Sequence, residues 1–233
     1  MKNWKGYNIL DLLLILSGIT TIFVVSFIFS SPWYIVWNTI LGLLCVFTQA
    51  KGKIITQFLG IAWFSLYVVI SYSQKYYGEA IIYSLILIPL YIYGAIHWLR
   101  NKDKQASNTV LVRGNLSKRE WIAIVIGFFI VSIGVYFILK ALDTAQLLIS
   151  TLSFVSMLPA IYLLVRRCKW NQVAFLVNDF IVPLLWISLV IEGQTIFITM
   201  CIYHIFQITY DLYGLIEWIR LEKKQKSLQE EYK

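Results

Sequence analysis

The chain is short of charge: 14% of its 233 residues are Asp, Glu, Lys or Arg, against 59% that are hydrophobic. That balance excludes a soluble domain of this size, whose surface needs more polar side chains than the composition supplies. Cysteine is scarce too. Cys45, Cys168 and Cys201 show no CxxC or other paired spacing, so they read as small apolar residues, with no disulfide framework or metal site expected. The two histidines, His97 and His204, have no second ligand at helical spacing; packing or hydrogen bonding is their expected role. No Walker A loop, HExxH, GxSxG or nucleophile–base pair occurs, which argues against an ATP-driven pump or a hydrolase, so no catalytic residue and no cofactor is expected. Period-two alternation is also missing, which argues against a transmembrane barrel.

What the chain does have is eight apolar runs, roughly at 10–29, 31–50, 54–72, 78–98, 121–139, 145–165, 173–192 and 195–218. Each is near the length of about 20 residues that an α-helix needs to cross a bilayer. The expected fold is therefore an all-α polytopic membrane protein with eight transmembrane helices. Counting loops on alternate sides puts eighteen of the twenty lysines and arginines on one side, with only Lys75 and Lys140 on the other. The positive-inside rule then places both termini and the basic loops in the cytoplasm. The net charge of +8 is thereby explained by topology, without nucleic acid. The first run follows Lys2 and Lys5 but is long for a signal peptide, and Phe29-Ser30-Ser31-Pro32 is no cleavage site, so it reads as a retained signal-anchor helix.

A repeat organises the rest. Tyr93-Gly94-Ala95-Ile96-His97-Trp98-Leu99-Arg100 returns as Tyr213-Gly214-Leu215-Ile216-Glu217-Trp218-Ile219-Arg220, each copy closing an apolar run. Three helices precede each ending. An odd number would invert the second unit unless one helix intervenes, and 121–139 supplies it. The expected domains are an N-terminal helix (1–30), a first three-helix repeat (31–100), a cytoplasmic linker (101–120), a linker helix (121–139), a second repeat (143–220) and a charged tail (221–233). This 3+1+3 parallel plan is shared with SWEET-type sugar transporters, with a site near the midplane between the halves.

Within this plan, Gly42-Leu43-Leu44-Cys45-Val46, Lys51-Gly52-Lys53, Tyr77-Gly78-Glu79-Ala80 and Pro89…Gly94…Trp98 occur in order. The chain here resembles the PnuC family of bacterial nicotinamide riboside transporters, from about Gly42 to Arg220. The resemblance implies facilitated diffusion of a vitamin precursor, with a cytoplasmic kinase trapping it by phosphorylation. The chain departs from the family pattern where Trp63 and Tyr83 stand in place of expected Asn residues and Tyr91 near an expected Gln. It also keeps only Trp170 of an expected WxxW pair. Thiamine, riboflavin and deoxynucleosides therefore stay open as substrates beside nicotinamide riboside.

Ionisable and amide side chains inside the membrane are the candidates for function. Asp179 and Asp211 lie about 9–11 Å deep from the cytoplasmic end at 1.5 Å per residue, and Asn178 stands beside the first. Gln207 and Trp186 fall near mid-depth, as does Trp63, and Tyr91 offers a further ring on which a flat heterocycle can stack. The substrate-binding set is thus Trp63, Tyr91, Asn178, Asp179, Trp186 and Gln207. A gating or structural set comprises Asn38, Asp211, Pro89 and Pro183. Pro159 also interrupts an apolar run, and each in-helix proline frees a backbone carbonyl. Trp33, Trp37, Trp98, Trp121, Trp170 and Trp218 lie near run ends and read as interfacial belt residues. Glu79, Asp143 and Glu192 read as solvated outer loop ends. The expected partners are a small ring-bearing substrate, the lipid bilayer and, functionally, the kinase; a homo-oligomer is left open. An ion-coupled symporter, an integral-membrane enzyme using the two aspartates and a non-transporting receptor are the rival readings.

Overall fold

In the computed structural model, residues 8–103, 109–113 and 115–231 are described. Lys2, Lys5, Lys104 and Lys233 of the basic count, and Gly114 of the linker, lie outside them. The described residues form α1 (Ile9–Ile28), α2 (Trp33–Ala50), α3 (Ile55–Ser73), α4 (Tyr77–Arg100), α5 (Lys118–Ala141), α6 (Leu147–Val165), α7 (Asn171–Ile191) and α8 (Ile198–Glu231). The first seven are long and apolar enough to cross a membrane. α8 is not counted with them; His204, Gln207 and Asp211 interrupt its apolar part. Nor does α8 stop where the apolar run ends. The segment 221–231, expected as a separate tail, continues the same helix, held by Glu222 paired to Lys169 and to Lys226 one turn on, each at 2.8 Å.

The turns explain why the chain reverses where it does. After α2, Gly52 adopts a left-handed φ of 60°, its N–H donates to Gln49 O, and Lys53 N–H donates to Thr48 O. After α6, Arg167 (φ 58°) donates to Leu164 O and Cys168 to Leu163 O. This is the same helix-ending motif at matching points of the two repeats. The pattern recurs at the other end, with Lys75 and Tyr76 after α3 and Gly193 and Gln194 after α7. α1 and α5 instead begin with reciprocal capping boxes, Asn8 with Asp11 and Ser117 with Glu120, each satisfying two otherwise orphaned N–H groups.

Packing runs in a closed order: α2 on α3, α3 on α4, α4 on α6, α6 on α7, α7 on α8, and α8 back on α2. α1 leans on α2 and α8 from outside, and α5 leans on α6. Their outer faces, such as Phe129, Ile130 and Ile133 on α5, stay exposed, as lipid-facing side chains should.

At the end of the ring that carries the basic loops, an ionic cluster ties α1 down. Lys51 Nζ lies 2.8 Å from Asp11 Oδ1 and 2.9 Å from Glu217 Oε2. It also donates to Tyr213 OH at 2.6 Å, and that hydroxyl donates to Asp11 Oδ1 at 2.6 Å. Asp11 is 1% exposed. Lys51→Met would leave this carboxylate buried without its cation, and a loss of about 3–5 kcal/mol is expected, read as a fall in Tm of the purified protein. Burial works against the Lys51 charge, but hydrogen bonds to Asp11, Glu217 and Tyr213 outweigh it and hold the ammonium above the ordinary lysine range. The contribution is therefore complete below the unfolded value of about 10.4 and is lost only as pH climbs through the higher folded value. An alkaline-side loss of Tm that is as large in Lys51→Met as in wild type would contradict this assignment.

Candidate functional site

Every helix of the ring, and neither outer helix, contributes side chains to one central cavity. α2 supplies Val46 and Gln49, α3 supplies Trp63, Phe64 and Tyr67, and α4 supplies Tyr83 and Tyr91. Met157 comes from α6, Phe175, Asn178 and Asp179 from α7, and His204, Gln207 and Asp211 from α8. The cavity has a volume of only about 10 Å³. That is room for about one water, so a nucleoside-sized guest requires the rings to part.

The walls are built by close approach at two glycines. Gly60 is the seat of Tyr91: a Cβ there would fall 2.2 Å from the ring. Gly42 lies under both Trp63 and Tyr203, whose nearest atoms would stand 2.8 and 2.3 Å from a Cβ. On this seat Trp63 packs against Phe64 (4.6 Å between centroids) and edge-on to Tyr203 (6.0 Å), while Phe64 meets Tyr83 and Tyr91 edge-on at 4.9 and 4.8 Å. Edge-to-face geometry at these separations is favourable. The result is an aromatic box against α3 and α4.

α4 owes its two tyrosines' placement to Pro89. Proline clashes with the carbonyl four residues earlier, and here the preceding segment Ile82–Leu87 is a π-helical turn, a distortion often found at functional sites. Tyr83 lies within this turn and Tyr91 just beyond it.

The opposite wall is acidic. Asp179 and Asp211 are 3% and 1% exposed and lie within hydrogen-bonding reach of each other. With its amide oriented to satisfy both ends, Gln172 donates to Asp211 Oδ1 at 3.0 Å and accepts from Trp218 Nε1 at 3.2 Å. His204 Nδ1 stands 3.9 Å from Asp179 Oδ1, beyond hydrogen-bond range. No lysine or arginine lines the cavity among the described residues.

Of the substrate-binding set, Trp63, Tyr91, Asn178, Asp179 and Gln207 line this cavity; Trp186 does not. Trp186 lies behind Tyr67, edge-on at 5.6 Å, and stacks on Phe197 at 5.4 Å, so it supports the wall from outside. Asn178 is partly committed elsewhere: its Nδ2 donates to Ser153 O at 3.0 Å and Ser156 Oγ at 2.9 Å, pinning α7 to α6. Of the second set, Asp211 lines the cavity. Asn38 instead donates to Trp63 O at 3.3 Å, and Pro183 lies within α7.

Two expectations are corrected by the packing. Glu79 is no solvated loop end: it is fully buried, and Ser153 Oγ donates to its Oε1. Trp98 and Trp218 are not belt residues. Both are 0% exposed and face each other at 6.1 Å near the basic end, and Trp218 Nε1 also donates to Gln49 O at 2.8 Å. His204, expected to pack or hydrogen-bond, lies in the acidic wall. The glycines of the repeated motif find their reason here: Gly94 leaves room for Gln57, and Gly214 for Gln172, at matching positions of α3 and α7.

A ring of apolar helices closed around a buried box of aromatic and acidic side chains is the build of a small-molecule carrier spanning a membrane. The comparisons make the class specific. The nicotinamide mononucleotide transporter family matches residues 32–220, and the chain belongs to that family. It is similar to the nicotinamide riboside transporter PnuC of Neisseria mucosa, at 25% identity over 95% of this chain and 84% of that protein. The nicotinamide riboside transporter PnuC of Haemophilus influenzae is 22% identical over 96% of this chain and 94% of the relative. The fold matches a crystal structure of the vitamin B3 transporter PnuC with a TM-score of 0.84, at 22% identity and 94% coverage of both chains. The family is one of transporters rather than enzymes, and the chain is a multi-pass inner-membrane protein.

Proposed function

We propose that the chain carries nicotinamide riboside, or a related ring-bearing vitamin precursor, into the cell by facilitated diffusion. Phosphorylation by a cytoplasmic kinase then traps the cargo. The observation that carries this reading is the cavity: an aromatic box facing a polar, acidic wall suits a molecule with a flat heterocycle at one end and hydroxyls at the other. Trp63 and Tyr91 stack on the ring, while Asp179, Gln207 and Asn178 take the polar end. Asp211, Asn38, Pro89 and Pro183 serve the gate and its support, and Trp186 braces Tyr67. The relatives' names support nicotinamide riboside first; thiamine, riboflavin and deoxynucleosides share the mechanism and would compete for the same box.

The proposed topology is eight spans in a 3+1+3 arrangement, with domain limits as read from the sequence and both termini cytoplasmic. The matched turns, the matched Gln–Gly seats and the basic character of one end support it.

The experiment is uptake of labelled nicotinamide riboside into liposomes holding the purified chain. Counterflow without any ion gradient is expected, and strict dependence on a sodium gradient would sink facilitated diffusion. Trp63→Ala and Tyr91→Ala should each lower initial uptake by about tenfold or more, since one stacked base contributes about 1–3 kcal/mol. Full uptake by both folded variants would remove the aromatic box from the path.

A further inference from the structure

The acidic wall is more than a polar surface for hydroxyl groups. A hydrogen bond between two carboxyl groups requires a proton on one of them, and Asp179 and Asp211 are placed to share one. Two bare carboxylates at that separation inside a membrane would repel each other with little water to screen them.

Among the described residues, the groups facing the pair offer no fixed positive charge. From α8 they are His204 and Tyr203, and from α4 Tyr83 and Tyr91. α2 brings Gln49 to the cavity, with Cys45 against Tyr91, while α7 adds Asn178 beside the pair and Gln172 on Asp211. α6 brings only Met157 to the cavity, and α3 brings no acid or base besides Tyr67. The third buried acid, Glu79, is engaged by Ser153 and acts on Tyr67 and Tyr83. The pair therefore faces an aromatic box across a cavity that no lysine or arginine lines among the described residues, which is the surrounding that attracts a flat organic cation.

Resting on the transport reading above, we propose that Asp179 and Asp211 form the seat for a positive charge on the substrate, and that proton and cationic ring compete for that seat. When the cation enters, the shared proton leaves to solvent and the charge within the box is unchanged. When the cation departs, a proton returns. The cargo class is then an aromatic cation such as a pyridinium or thiazolium, and a neutral nucleoside of the same shape is a poor ligand.

The test uses the full chain in detergent and, as probes, nicotinamide riboside, its neutral carbon-linked isostere benzamide riboside, thiamine and a neutral ribonucleoside. Nicotinamide riboside is expected to bind at least about 30-fold more tightly than benzamide riboside, the scale of a desolvated cation–π contact joined to a carboxylate. In weakly buffered solution, binding should release close to one proton per ligand. Affinity for the cation should fall as pH is lowered, while affinity for the neutral isostere stays level.

Asp179→Asn and Asp211→Asn should each bring the two affinities together and abolish proton release; Glu230→Gln, on the exposed overhang of α8 away from the cavity, should leave both effects in place. Equal binding of cation and isostere by wild type, or binding without proton release, would overturn the charge seat while leaving nicotinamide riboside transport intact. Tight binding of thiamine with proton release, and none of nicotinamide riboside, would keep the seat and overturn the proposed cargo. Persistence of proton release in both folded aspartate variants, or its loss in His204→Gln alone, would move the proton to the imidazole and overturn the pairing.

Discussion

Gly42→Ala is expected to reduce uptake to the level of liposomes without protein, and the reason is steric. The added Cβ would stand 2.3 Å from the Tyr203 hydroxyl and 2.8 Å from Trp63 Cε2. Neither ring can yield easily, because Tyr203 is 0% and Trp63 5% exposed. Overpacking of this kind costs about 1–3 kcal/mol when side chains are forced off their rotamers. Here the displaced rings are also part of, or directly behind, the box. The Tyr203 hydroxyl has no hydrogen-bond partner among the described residues, so Tyr203→Phe alone should be neutral or slightly stabilising. Combined with Gly42→Ala it should restore part of the uptake by removing the nearest atom. The checks are initial uptake rate and Tm for the two single variants and the double. A Gly42→Ala protein with normal uptake would show that the rings are free to move.

The second large effect belongs to Trp218→Ala. Trp218 is wholly buried, packs on Trp98 at 6.1 Å, and bridges through Nε1 to Gln49 O at 2.8 Å. It therefore joins α8 to α2 and to the end of α4, where the two repeats meet below the cavity. Truncating a buried tryptophan costs about 3–5 kcal/mol. The hydrogen bond to Gln49 is lost with it, which loosens the residue that accepts from the Tyr91 hydroxyl at 3.4 Å. Trp98→Ala should be comparably damaging. Because the rings share one contact, the double variant should lose less stability than the two singles together. Strict additivity in the Tm-derived stabilities would mean the two rings are energetically independent despite their contact. Trp218→Phe, which keeps a ring but not the N–H, isolates the share owed to the bonds with Gln49 and Gln172.

How much of this was open to a reader of the sequence depended on which coordinate was asked for. Position along the membrane normal was legible, because apolar runs and basic loops mark where each helix enters and leaves. Trp63, Gln207 and the two aspartates were accordingly placed at useful depths. Rotation about the helix axis was not. In water the polar face of a helix declares which side is buried; in a bilayer both faces are apolar, so the inward face leaves little trace. For that reason Trp186, at the right depth, turned out to sit behind Tyr67. Likewise Trp98 and Trp218, at belt depth, turned inward. Glu79 was misread because it follows a short turn, and a turn residue normally meets water; its serine partner lies 74 residues away. The family resemblance was legible in Gly42, Lys51–Lys53 and Tyr77–Ala80, but the reason for Gly42 needed the rings that rest on it. His204 carried no signal at all, since its neighbour Asp179 belongs to another helix.

One further consequence follows from the unbroken length of α8. Its 34 residues make a rod of about 51 Å, well beyond the roughly 30 Å of hydrocarbon. The overhang is clasped: Gln225 accepts from Val112 N at 2.9 Å and donates to Val110 O at 3.1 Å and Asp103 Oδ2 at 2.9 Å. Val110 N–H itself donates to Gly52 O of the first repeat, while Arg113 N–H donates to Arg167 O of the second. From Gln207 in the cavity wall to Gln225 the axis runs about 27 Å, so a tilt of about 10° at the cavity would swing the clasp sideways by about 5 Å. Hydrogen bonds do not stretch that far. The rod is thus a lever and the linker its tether: a movement that opens the box must either carry the strap across both halves or break it, which makes the strap a recorder of whichever way the carrier faces.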